Sequence, residues 1–150
     1  MEVRFYGTKL YGLFGRVAKS WKNNILKHKD MKIITKQIHA YLDYPVAVAL
    51  ISLPFVLGLG SSNPAAFYLS VVVGIAAFVL TILTDHHLGV IKIIPYKIHL
   101  WVDGLVGGVF LIAPFLLSFE GLDFIYYLLN GVAVIAVVSL HKPTLSVPQV

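Results

Sequence analysis

Residues 99–115 read HLWVDGLVGGVFLIAPF, and residues 39–55 read HAYLDYPVAVALISLPF. The two stretches are one pattern used twice. Each begins with a His and an Asp four residues apart, continues through apolar residues and ends in Pro-Phe. His39 aligns with His99, Asp43 with Asp103, Pro54 with Pro114 and Phe55 with Phe115, without a gap. Self-similarity at a fixed period marks a duplicated structural unit.

Around these stretches lie four apolar segments, from about Tyr44 to Leu59, Pro64 to Thr84, Leu100 to Phe119 and Leu122 to Leu140. Each approaches the roughly 20 residues that a helix needs to cross a bilayer core of about 30 Å. A soluble bundle needs a polar face on its helices. Val71–Leu83 and Gly131–Val138 carry no charge at all. The whole chain of 150 residues is 58% hydrophobic and 13% charged, with a mean hydropathy of +0.83. These features predict an all-α fold, a four-helix transmembrane bundle made of two tandem helical hairpins. Two hairpins in the same orientation imply a parallel pseudo-twofold along the membrane normal.

The joints support this division. Gly58 to Pro64 reads as a tight turn with Pro64 in the first turn of the next helix, and Glu120-Gly121 is its counterpart. The expected boundaries are a basic segment at 1–35, a first hairpin at 36–84, a linker at 85–98, a second hairpin at 99–141 and a tail at 142–150. Gly74 matches Gly131 once the shorter second turn is allowed for. Gly104, Gly107 and Gly108, with Ala65, Ala66 and Gly74, would let helix backbones approach. Pro54 and Pro114 are expected to kink their spans.

In the basic segment, Val3, Tyr6, Leu10, Leu13, Phe14, Val17, Trp21 and Ile25 recur at helical spacing, with Arg4, Lys9, Arg16, Lys19 and Lys22 largely between them. That pattern predicts an amphipathic helix on anionic lipid, anchored by Trp21. A solvated helix packed on the domain and a transit peptide are alternatives, whereas a secretory signal is not expected. Nine of the twelve Lys and Arg precede the first span, and Lys92, Lys97 and Lys142 fall on the same side. The positive-inside rule then places both termini in the cytoplasm, with a bacterial inner membrane as the expected location. The net charge of +5 is accounted for by lipid rather than by nucleic acid.

The Pro-aromatic pairs in ISLPFVLGL and LIAPFLLSF, with Trp101 and the hairpin that follows, resemble the SPW-repeat membrane proteins. The unit of that family is a two-helix hairpin named for a Ser-Pro-Trp signature. The likeness runs from Asp43 to Leu140, with Leu53-Pro54-Phe55 and Ala113-Pro114-Phe115 where the signature stands. It implies a small polytopic membrane protein and says little about chemistry.

The chemistry-bearing residues gather on the Lys-rich side. His39 and His99 stand at the entries to spans one and three, Asp85 and His86 follow span two, and His141 follows span four. A His and an Asp at i and i+4 share one helix face. Two such faces meeting near the pseudo-symmetry axis would offer His39, Asp43, His99 and Asp103, supported by Asp85, His86 and His141. Two imidazoles and two carboxylates suit Zn²⁺, and with further ligands Fe or Mn. Haem held by a His pair is a lesser option. The competing explanation is structural pairing, with Asp favoured near helix N-termini and His near C-termini. The absence of Cys removes disulfides, thiolate sites and Cys nucleophiles. Ser52 and Ser118 are expected to bond back to their own helices, Glu120 and Asp123 to be solvated, and Tyr126 and Tyr127 to form an aromatic belt.

Three functions follow from this pattern. The first is a membrane metalloprotein which, if catalytic, acts on a lipid-like substrate that enters sideways. The second is a non-enzymatic accessory or scaffold subunit. The third is a metal-ion transporter, disfavoured by the lack of polar residues at mid-span. Self-association, as a homo-oligomer or in a larger membrane complex, is expected of so thin a bundle.

Overall fold

A computed structural model of the protein describes residues 15–21 and 33–142. The chain divides into two units, Met1–Ile33 and Ile34–Val150. In the first, residues 15–21 are helical (α1), and Arg16, Val17, Lys19 and Trp21 are all exposed. The remainder of the basic amphipathic segment lies outside the described residues, as does the tail beyond Lys142.

The second unit contains four long helices, α2 (Lys36–Leu57), α3 (Pro64–Leu83), α4 (Tyr96–Leu116) and α5 (Gly121–Ser139). All four are long and apolar enough to cross a membrane. Large apolar side chains face outward along them, including Val56, Trp101 and Leu116. That is the surface a bilayer requires and water does not tolerate. α2 and α3 carry side-chain N-caps. The Thr35 side chain accepts from the Ile38 N–H, and Asn63 accepts from the Ala65 N–H ahead of Pro64.

The duplication is visible in the helix ends. α2 and α4 start at positions 60 apart, and α3 and α5 at positions 57 apart. Before each odd-numbered span a short bridge forms. Ile94 pairs with Thr84 at the end of α3, and Ile34 pairs with His141 at the end of α5. Ile34 and Ile94 are equivalent under the repeat, so Thr84 and His141 are equivalent as well. Each hairpin therefore hands its last residue to the entry of the other.

Helix packing within the hairpins depends on two glycines that are also equivalent. A Cβ on Gly74 would lie 2.8 Å from Ile51 Cγ1 and 2.9 Å from the Ile51 nitrogen, and a Cβ on Gly131 would lie 2.8 Å from Leu111 Cγ and 3.0 Å from its nitrogen. Backbone cannot yield to a methyl group as a side-chain tip can. Gly74→Ala and Gly131→Ala are each expected to destabilise the bundle by about 1–3 kcal/mol. Gly104→Ala and Gly108→Ala should be silent, because nothing lies within 4 Å of a Cβ at either position. Thermal unfolding of the four variants in one detergent checks the contrast. The spaced pair Gly104 and Gly108 thus does not pack helices within the chain, and Gly107 beside them does.

Polar side chains tie the hairpins together away from the rim. Pro54 has no N–H, so the Leu50 carbonyl one turn earlier loses its helical partner, and Ser70 of α3 donates to it at 2.9 Å. Tyr126 of α5 bonds the same Ser70 at 2.7 Å. Tyr127 donates to the Ala66 carbonyl at 2.8 Å. Both tyrosines are buried, so they form part of the core and not an aromatic belt. Asp123 is fully buried rather than solvated. It accepts from the Gly60 N–H at 2.8 Å, the Ser62 N–H at 3.0 Å and the Ser62 hydroxyl at 2.6 Å. The second hairpin thereby clamps the turn of the first. Ser52 bonds back to the Val48 carbonyl as expected.

Candidate metal centre

At the end of the bundle opposite the two tight turns, α2 and α4 bring their His–Asp faces together. His39 and Asp43 come from α2, and His99 and Asp103 from α4. One ligating atom from each of the four lies within 4.8 Å of the others. His39 Nε2 is 2.8 Å from Asp103 Oδ2 and 3.3 Å from Asp43 Oδ1. His99 Nε2 is 3.2 Å from Asp103 Oδ2 and 3.4 Å from Asp43 Oδ2. Both imidazoles therefore face both carboxylates, within and across the repeats. The histidines are almost wholly buried, and the side chains of Asp43 and Asp103 are 13% and 20% exposed.

Helix dipoles do not explain the carboxylates. α2 and α4 start earlier than the apolar segments suggested, and neither has an acidic residue in its first turn. Asp43 and Asp103 stand about two turns in, beyond the reach of an N-terminal dipole.

Hydrogen bonding fixes the direction of one lone pair. The Thr84 hydroxyl donates to the Leu80 carbonyl at 2.7 Å. Its oxygen is then the acceptor for His99 Nδ1, 2.8 Å away. With the proton on Nδ1, neutral His99 turns an Nε2 lone pair towards two carboxylate oxygens. His99 Nε2 and Asp43 Oδ2 are buried with no hydrogen-bond partner. Converging acceptors in a buried site are costly unless a cation sits between them. The same geometry allows a divalent metal or shared protons.

The other candidate residues form a second layer or fall outside. His86 is buried with its ring centroid 6.0 Å from that of His99, and Leu88 N–H donates to its Nδ1 at 3.2 Å. Burial lowers the His86 pKa below its ordinary value, against the pull of Asp43 and with the help of His99, Lys36 and His39. His141 is buried with its ring 5.8 Å from that of His39 and its Nδ1 3.3 Å from the Tyr96 hydroxyl. It stands by His39 where Thr84 stands by His99. Asp85 is exposed, and its backbone N–H is spent on the Ile94 carbonyl. It is not among the four grouped residues. The linker is held over the site by Tyr44, whose hydroxyl donates to the Leu88 carbonyl at 2.9 Å.

Thr84, Tyr44 and Tyr96 were not singled out in the sequence. For Thr84 a signal existed, because the repeat places it opposite His141. A haem between the histidines has no space, since carboxylate oxygens already occupy the gap between the two Nε2 atoms.

The profile of the family described as SPW repeat domain matches residues 37–141, which takes in all four helices and the whole His–Asp group. Searches among curated proteins and among solved structures returned no match.

Proposed function

The chain belongs to the SPW repeat family, and from that premise we propose that it is an integral membrane metalloprotein holding one divalent transition metal. His39, Asp43, His99 and Asp103 supply the ligands. The observation that carries this reading is that one ligating atom from each of the four residues lies within 4.8 Å of the others. The nitrogen–oxygen separations, which use both oxygens of Asp43, run from 2.8 to 3.4 Å, close to the edge of about 3.3 Å in a tetrahedron whose metal–ligand bonds are about 2.0–2.1 Å. Two nitrogens and two oxygens, with no sulfur, suit Zn²⁺ or Fe²⁺ ahead of Cu⁺. The metal joins the two hairpins through ligands from both α2 and α4.

Metal analysis of detergent-purified protein tests the proposal. About one zinc or iron per chain is expected in the native protein, with a fourth-ligand deletion such as His39→Ala or His99→Ala losing most of it. Metal-free native protein would overturn the proposal. Thr84→Val supplies a second test. It keeps the shape but removes the acceptor for His99 Nδ1, and should weaken zinc binding about 10- to 100-fold in a chelator competition.

On the same reading, α1 lies on anionic lipid through Arg16, Lys19 and Trp21 at the cytoplasmic face. The alternative is a scaffold subunit without chemistry. A closed four-ligand set favours it, because structural zinc sites are closed whereas catalytic ones keep a position open.

A further inference from the structure

We infer that the linker between α3 and α4 is a lipid-inserting loop, with Val90, Ile91 and Ile93 among the acyl chains of one leaflet and Lys92 and Lys97 on the headgroups of anionic lipid. The inference is independent of the metalloprotein reading.

The tip of the linker exposes large apolar side chains, Val90 at 74%, Ile91 at 56% and Ile93 at 66%. The backbone beneath them is tightly held. The Val90 and Ile91 N–H groups both donate to the Ile82 carbonyl, at 2.8 and 3.2 Å, and the Ile94 N–H donates to the Leu83 carbonyl at 2.9 Å. The Asp85 N–H donates in turn to the Ile94 carbonyl at 2.8 Å. Gly89 is buried where the loop crosses the end of α3, and a Cβ there would collide with the Thr84 carbonyl oxygen. A loop fixed in this way cannot fold its apolar side chains inward. An exposed apolar patch bordered by charge marks an interaction site.

What covers the patch follows from where the loop is tied. Ile82 and Leu83 end α3, a helix long and apolar enough to cross a membrane. The bonds to their carbonyls turn the tip back to the level of that last turn, not out into water. Val79, about one turn earlier in α3, is also exposed. The tip therefore joins the end of a surface that acyl chains cover. Three apolar side chains are far fewer than the roughly 20–30 residues a side of a stable protein interface, and a leaflet needs no such area.

The charges select the lipid. Residues 85–98 hold two lysines and one acid, Asp85. Lys92 stands between Ile91 and Ile93 in a left-handed backbone conformation, φ 54°, which few side chains adopt without cost. Lys92 and Lys97 are exposed, and the ion pairs among the described residues all join His to Asp. Both ammonium groups are thus left for an outside anion. A lysine stem lies along apolar chains while its ammonium stays at the polar level, where anionic lipid offers its phosphate.

The test uses the full chain, which has no native Cys to remove, in nanodiscs of phosphatidylcholine and phosphatidylglycerol. Nitroxide labels are placed by Val90→Cys, Ile91→Cys and Ile93→Cys, with Val79→Cys as the acyl-chain reference and the exposed His87→Cys as the water reference. The three tip labels should relax with oxygen rather than with a water-soluble nickel complex, as the Val79→Cys label does. Tip labels open to nickel would place the loop in water, and tip labels shielded from both reagents would place protein over it; either result overturns the inference. The lysines are tested by titrating dioctanoyl phosphatidylglycerol into the detergent-purified chain and following the mobility of the Ile91→Cys label. Lys92→Gln with Lys97→Gln should raise the half-saturating concentration about 25-fold, fivefold for each lysine near an anionic surface. Dioctanoyl phosphatidylcholine, with no net charge, should leave the label unmoved. An equal response to both lipids, or a half-saturation unchanged in the double variant, would also overturn the inference.

Discussion

If the proposed metal is bound, removing it with a chelator should lower the thermal unfolding midpoint of the purified protein by about 10 °C, and adding Zn²⁺ back should restore it. The magnitude follows from linkage: a ligand at a thousand times its Kd contributes about 4 kcal/mol, and each kcal/mol moves the midpoint of a chain this size by about 2–4 °C. The reason lies in how the hairpins meet. Within each hairpin, a glycine seats one helix directly on the backbone of its neighbour, at Gly74 and at Gly131. Between hairpins at the rim, α2 and α4 are joined by the His–Asp contacts, the shortest being His39 to Asp103 at 2.8 Å. Without a cation, Asp43 and Asp103 face the same small buried space. The double substitution Asp43→Asn with Asp103→Asn relieves that repulsion and removes the metal ligands. Its unfolding midpoint should no longer respond to chelator. A midpoint in the native protein that ignores both chelator and zinc would show that no metal braces the rim.

Asp123→Ala should destabilise the bundle by about 3 kcal/mol, since it strands donors that a buried carboxyl group had satisfied. Those donors are the Gly60 and Ser62 N–H groups and the Ser62 hydroxyl. Ser62 in turn receives the Glu120 N–H at 3.1 Å, and Asn63 donates to the Leu117 carbonyl at 2.9 Å. The two turns are therefore one hydrogen-bonded assembly with Asp123 at its centre. Metal content should be unaffected, because the His–Asp group lies at the other end of the helices. Unfolding midpoint and metal stoichiometry measured on one preparation separate the two effects. A variant as stable as the native protein would reduce the clamp to a solvated contact.

The duplicated HxxxD faces could be read from residue order alone, because a helix converts a spacing of four into a shared direction. The repeat then required the two faces to meet. The apolar segments gave the helix ends less well. Lys36, His39 and Asp43 look like an interface in a hydropathy profile, yet Thr35 caps a helix that includes them. That shift, about two turns in α2 and one turn in α4, removed the dipole explanation for the carboxylates.

Partners were harder to foresee. Asp123 looked like a lone acid in a hairpin, and its donors come from backbone more than 60 residues away, where composition gives no hint. Tyr126 and Tyr127 resembled interface aromatics until Ser70 and the Ala66 carbonyl proved to be within reach. Gly104 and Gly108 carried the familiar spacing, but the neighbouring Gly107 faces α5. Which side of a helix meets its neighbour is a tertiary property, and glycine spacing does not determine it.

X-ray absorption at the metal edge of the purified protein tests the metal centre most directly. The expected spectrum shows one metal with two imidazole nitrogens and two carboxylate oxygens at about 2.0–2.1 Å, and loses the imidazole signal in a His39→Ala, His99→Ala double variant. A spectrum of six water or detergent oxygens, or an imidazole signal that survives that double substitution, would contradict it.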